Sequence, residues 1–179
     1  MKRVLATAVL AGLLASPALA ALKPGDAAPD FTAPATLAGK EFTFSLADKL
    51  KDGPVVLYFY PAAFTQGCSV EAHDFAEATD RFKALGATII GVSADKIDVL
   101  DRFSTADCQS KFALAADPDL KVAKSYDSVL TKMLGYADRT SYVIAPDGKV
   151  LYSYSAMDPD KHVENTLAAV EKWRAAHKG

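Results

Sequence analysis

The chain has 179 residues, 20 Lys and Arg against 22 Asp and Glu, a net charge of −2, and hydrophobic residues at half of its positions. That is one ordinary globular domain, and without a Lys/Arg run it lacks the electrostatic footprint of a nucleic-acid binder. Two cysteines and three histidines, none at zinc-finger or HExxH spacing, make no disulfide framework, and neither a metal nor a cofactor is expected.

Residues 1–20 read as a secretion signal. Lys2 and Arg3 form its basic end, Val4 to Leu14 is mostly apolar, Ser16-Pro17 breaks the run, and Ala18-Leu19-Ala20 supplies the small residues of a cleavage site. The apolar stretch is too short to span a hydrocarbon core of about 30 Å, so no membrane span is expected. Cleavage after Ala20 would leave residues 21–179 as a single periplasmic or secreted domain. That compartment permits disulfides, so a static bond between Cys68 and Cys108 is one reading of the pair.

Residues 22–51 hold Pro24, Pro29 and Pro34 with short aromatic patches, and read as a turn-rich N-terminal extension. Val55 to Tyr60 is an unbroken β-branched and aromatic run, as expected of a strand buried on both faces, and Pro61 ends it. From Cys68 to Leu85 apolar residues recur at helical spacing up to Gly86. Ala87 to Val92 is the next strand, so this segment is a βαβ unit. A second amphipathic helix is predicted from Ile97 to about Ala106, a short strand over 112–115 and a short helix over 118–126. Tyr142-Val143-Ile144 and Val150 to Tyr154 flank the turn Ala145-Pro146-Asp147-Gly148 as a hairpin. A last helix should start at Pro159 and bury Val163, Leu167, Val170 and Trp173. A βαβ half followed by a ββα half is the order of the thioredoxin-like fold: α/β, a central mixed sheet flanked by helices, here behind an N-terminal extension.

This order places Cys68 past the carboxyl end of a central strand, in the first turn of the following helix, where sites in open α/β sheets occur. The thiolate is the reactive form of cysteine, and some charge must stabilise it. A helix terminus contributes about 0.3–1 kcal/mol, up to ~2 when partly buried. A guanidinium at ~4 Å in an effective dielectric of ~20 offers ~4 kcal/mol before desolvation is subtracted. The chemistry therefore calls for an arginine, and Arg139, just before the strand over 140–144, is the candidate. Its neighbour Asp138 is the competing partner for that charge.

Pro61-xxx-Thr65-xx-Cys68 resembles the active-site motif of the peroxiredoxins (AhpC/TSA type), and Glu71 is similar to the glutamate of the peroxiredoxin Q, or bacterioferritin comigratory protein, branch. Gly25 to Phe31 resembles that family's opening motif, and Arg139 to Ile144 its arginine-bearing segment. The resemblance implies that Cys68 is the peroxidatic cysteine, with Thr65 and Arg139 orienting the peroxide, Pro61 shielding the pocket and Glu71 a possible organiser of the site. The substrates it implies are hydrogen peroxide and organic hydroperoxides, and the recycling partner is thioredoxin or a periplasmic dithiol reductant. A monomer is expected. Two positions depart from the family pattern: Gln66 stands where proline is common, and His73 where many members carry the resolving cysteine. Cys108, at a position some members use, is then expected to resolve Cys68 through an intramolecular disulfide.

Two alternatives stay open. A thiol-disulfide exchange protein of the same fold wants Cys-x-x-Cys, which this chain lacks. A non-enzymatic module would be locked by a permanent Cys68–Cys108 bond.

Overall fold

The computed structural model describes residues 21–130 and 135–177, so the leader over 1–20 lies outside the described residues. In chain order the elements are β1 (Thr32–Leu37), β2 (Lys40–Ser45), α1 (Leu46–Leu50), β3 (Val55–Phe59), α2 (Gln66–Ala84), β4 (Thr88–Ser93), α3 (Ile97–Ala106), β5 (Ala113–Ala116), α4 (Lys121–Ser125), β6 (Thr140–Ile144), β7 (Val150–Ser155) and α5 (His162–Ala176). The strands form one mixed sheet in the order β2-β1-β5-β4-β3-β6-β7. β3, β4 and β5 are parallel, and the remaining pairs are antiparallel. This is the thioredoxin-like arrangement expected from the element order.

The unbroken apolar run of β3 follows from its place in the sheet. Val55, Leu57 and Phe59 point into one core with Phe44, Leu46, Tyr126 and Tyr142. Val56 and Tyr58 point into the other, with Phe75, Phe82, Phe103, Leu167 and Val170 from α2, α3 and α5. Because successive side chains on a strand face opposite sides, a central strand covered on both sides has no polar position to offer. Each large apolar side chain fully removed from water here contributes about 1.5–3 kcal/mol.

The N-terminal extension is more regular than its composition suggested. Thr32 to Ser45 is an antiparallel hairpin, β1–β2, on the edge of the sheet, and Leu46–Leu50 adds a helical turn capped by the Ser45 hydroxyl. Its two-residue turn, Ala38-Gly39, has positive φ at both positions (54° and 71°), as a hairpin turn needs. Alanine is an uncommon occupant of the first of these, which hides the turn in the sequence. The last helix begins at His162, not at Pro159. An Asp158 carboxylate accepting from the Asp160 N–H and a His162 N–H on the Pro159 carbonyl hold residues 158–162 in turns instead. Trp173 is only half-buried and stacks on His177, so it is not a core residue.

Candidate active site

β3 and β4 run parallel and end together, and the Tyr60 N–H extends their pairing by donating to the Val92 carbonyl at 3.1 Å. The chain then turns through Pro61–Thr65 into α2. Asp95, just past β4, holds this loop: its carboxylate accepts from the Ala63 N–H and from the Ser93 hydroxyl, both at 2.8 Å. Phe64 sits at φ 63°, a left-handed conformation that costs a bulky residue of order 1 kcal/mol or more, and its exposed ring packs edge-on against Phe103. Thr65 is the N-cap residue of α2, but its hydroxyl donates back to the Ala62 carbonyl at 2.9 Å and does not cap the helix. Pro61 is half-buried at the mouth of the loop. Cys68, in the first turn of α2, is 1% exposed.

Arg139 meets that sulfur. β6 pairs antiparallel with β3, Thr140 opposite Phe59, so the residue before Thr140 arrives beside the loop that carries Cys68. The guanidinium is spent in three directions: Nη2 donates to Cys68 Sγ at 3.3 Å, Nε to the Met157 carbonyl at 3.0 Å, and Nη1 to Glu71 Oε2 in a fully buried contact. Asp138 takes only the Arg139 backbone N–H. Burial works against the charge of Arg139, but the Glu71 and Cys68 charges outweigh it, and the guanidinium pKa moves up. Glu71 stands one helical turn beyond Cys68 and is fully buried. Burial pushes its carboxyl up to about 8, although Arg139 pulls the other way. On its far side lies His162 of α5, with Nδ1 at 3.6 Å from Glu71 Oε1.

The model of the AhpC/TSA family matches residues 24–153. Chloroplastic peroxiredoxin Q of Sedum lineare is 33% identical over 140 residues, which cover 77% of this chain and 74% of that protein. The crystal structure of peroxidoxin BcpB from Mycobacterium tuberculosis superposes with a TM-score of 0.77 at 32% identity, covering 84% of this chain and 97% of that one. The chain belongs to the AhpC/TSA family of peroxiredoxins. Peroxiredoxin Q from Xanthomonas campestris is a further structural relative, with a TM-score of 0.70 at 28% identity over 79% of this chain and 90% of that one. The match to chloroplastic peroxiredoxin Q of rice, 34% identical, spans 82% of this chain and 66% of the rice protein's length.

In this peroxiredoxin the fold brings Cys68, Glu71 and Arg139 into contact and leaves Cys108 apart from them. Both cysteines are free thiols in one apolar cluster beneath α2, α3 and α5. Burial, and then the charge of Asp107, pushes the Cys108 thiol well above the ordinary cysteine range. The two residues after it, Gln109 and Ser110, both have left-handed φ, 50° and 58°. The Gln109 side chain ties this strained stretch to α2 by donating to His73 Nδ1 at 3.0 Å and Glu77 Oε1 at 3.1 Å.

Several residues of the site carry no local signal in the sequence. A Cβ on Gly67 would lie 3.2 Å from Arg139 Nη2, so glycine is what lets the guanidinium reach the sulfur past the helix start. Asp95, His162 and the Met157 carbonyl act only through chain segments distant in sequence. Among the described residues no group of three or more His, Cys, Asp or Glu is placed to hold a metal ion, and no helix is long and apolar enough to cross a membrane.

Proposed function

We propose that this peroxiredoxin is a thiol-dependent peroxidase in which Cys68 is the attacking group. The observation that carries the reading is the buried hydrogen bond from Arg139 Nη2 to Cys68 Sγ at 3.3 Å. It supplies what the chemistry demands, a fixed cation beside a sulfur that must react as the thiolate.

The thiolate attacks one oxygen of hydrogen peroxide or an organic hydroperoxide. A sulfur–oxygen bond forms, the O–O bond breaks, and hydroxide or alkoxide leaves with the electron pair and takes a proton to become water or alcohol. The sulfur is oxidised to the sulfenic acid. Negative charge moves onto the departing oxygen, so donors fixed around it favour the transition state over bound substrate. Arg139 is one such donor. The Thr65 hydroxyl, at rest on the Ala62 carbonyl, is a second once it turns toward peroxide, and Pro61 keeps bulk water from the pocket.

Cys108 then resolves the sulfenic acid: its sulfur bonds Cys68, water departs, and an intramolecular disulfide remains. A dithiol reductant, thioredoxin or a periplasmic equivalent, reduces that bond and leaves as a disulfide. Both thiols lie on folded elements, so this step needs the first turn of α2 and the stretch after Cys108 to open locally. The basic and apolar leader with its Ala18-Leu19-Ala20 site supports export and work in the periplasm or outside the cell.

Purified protein supplied with dithiothreitol and hydrogen peroxide is expected to consume the peroxide, and Cys68→Ser to stop it. A serine variant as fast as the wild type would refute the assignment.

A further inference from the structure

The peroxidase chemistry leaves one buried titratable group unused. His162 is fully buried. Its Nε2 lies 2.9 Å from the Ala156 carbonyl, which can only accept, so Nε2 carries a hydrogen. Nδ1 lies 2.7 Å from the Ser141 hydroxyl and 3.6 Å from Glu71 Oε1. In the neutral ring Nδ1 is an acceptor for the Ser141 hydroxyl or a protonated Glu71; in the cation it would donate toward both. Neither form requires the ring to move.

Glu71 supplies the other half. Its Oε2 is on Arg139, while its buried Oε1 accepts no hydrogen bond among the described residues. Arg139 is one cation between two buried acids. Were Cys68 and Glu71 both ionised, they would compete for a single positive charge, and each would disfavour the other's charged form. A proton held anywhere on the Glu71–His162 pair makes the pair neutral and ends that competition.

We propose that His162 is a positioning residue that shares one proton with Glu71 and so reserves the Arg139 charge for the Cys68 thiolate. This rests on the reading of Cys68 as the attacking sulfur. The surroundings agree. Burial pushes the Glu71 carboxyl up to about 8 and lowers the His162 pKa, so near neutrality the proton sits on Glu71 Oε1, where Nδ1 is the acceptor that faces it; without the ring that hydrogen has no partner and the carboxylate is favoured. The charged and titratable groups facing the pair are Arg139 ahead of β6, Asp158 in the loop before α5, Asp74 on α2 and Tyr154 of β7, whose ring stacks edge-on against His162.

The test measures thiolate formation by ultraviolet absorbance against pH in a Cys108→Ser background, where one thiol titrates. His162→Phe is expected to raise the Cys68 midpoint by about one unit, leaving about tenfold less thiolate below it. Adding Glu71→Gln should reverse that rise, which a merely structural role for His162 would not. An unmoved midpoint, or a rise that Glu71→Gln does not reverse, overturns the proposal. The wild-type chain gives a second readout that survives a misfolded variant. Capping Cys68 with methyl methanethiosulfonate should lower the titration of the ¹³C-labelled Glu71 carboxyl, and no change would contradict the coupling. If wild-type Cys68 ignores peroxide, the peroxidase reading falls and takes this inference with it; if it reacts but His162→Phe leaves its titration in place, only the inference falls.

Discussion

Cys68 and Cys108 share one apolar cluster and are equally buried, at 1% and 0% exposure. Cys68 has a guanidinium hydrogen on its sulfur, whereas burial, and after it the carboxylate of Asp107, keeps the Cys108 thiol protonated. Burial by itself makes a cysteine inert; burial beside a fixed cation is what makes one reactive. In the proposed cycle the difference orders the sulfurs, Cys68 first and Cys108 only after the structure opens and its surroundings change.

Removing the cation should erase most of the contrast. Arg139→Leu is expected to slow the reaction of Cys68 with peroxide by about 10²-fold or more, the usual cost of losing a transition-state donor, as read by stopped-flow fluorescence. Gly67→Ala is a gentler probe, because its Cβ would displace the Arg139 fork by a few tenths of an ångström and leave the charge in place. A fall of about three- to tenfold in the same rate, with little change in thermal stability, is expected. On the other side of the comparison, Gln109→Ala releases the loop after Cys108 from His73 and Glu77. Two partly exposed hydrogen bonds are lost, so the disulfide should form about two- to fivefold faster once Cys68 is oxidised, as measured by quenched-flow mass spectrometry.

A pH experiment sharpens the same point with a smaller effect. The folded-state pKa of Glu71 is raised from 4.5 to about 8. The stability linked to this group is therefore fully present below about pH 4.5 and is lost as pH rises through about 8. Glu71→Gln should flatten that part of the profile, so the difference in Tm between pH 5 and pH 9 is smaller than in the wild type.

Sequence pattern reached the centre of this site because its markers are local. Pro61, Thr65 and Cys68 sit at fixed spacing between an apolar strand and a helix. Glu71 follows one turn later on the same helix, and Arg139 opens a strand whose pairing with β3 follows from the element order. The supporting residues were hidden for the opposite reason. His162 reaches Glu71 only because α5 packs on α2, Asp95 reaches Ala63 only across the ends of two parallel strands, and the Met157 carbonyl has no side-chain signature at all. The β1–β2 hairpin has no clear sequence signature because its turn is Ala-Gly and Pro34 lies within its first strand, both of which read as loop.

The most direct measurement is to treat the reduced Cys108→Ser protein with less than one equivalent of hydrogen peroxide in the presence of dimedone and map the adduct by mass spectrometry. The account predicts a single adduct on Cys68, sharply reduced when Arg139 is replaced by leucine. An unlabelled Cys68, or labelling indifferent to Arg139, would contradict it.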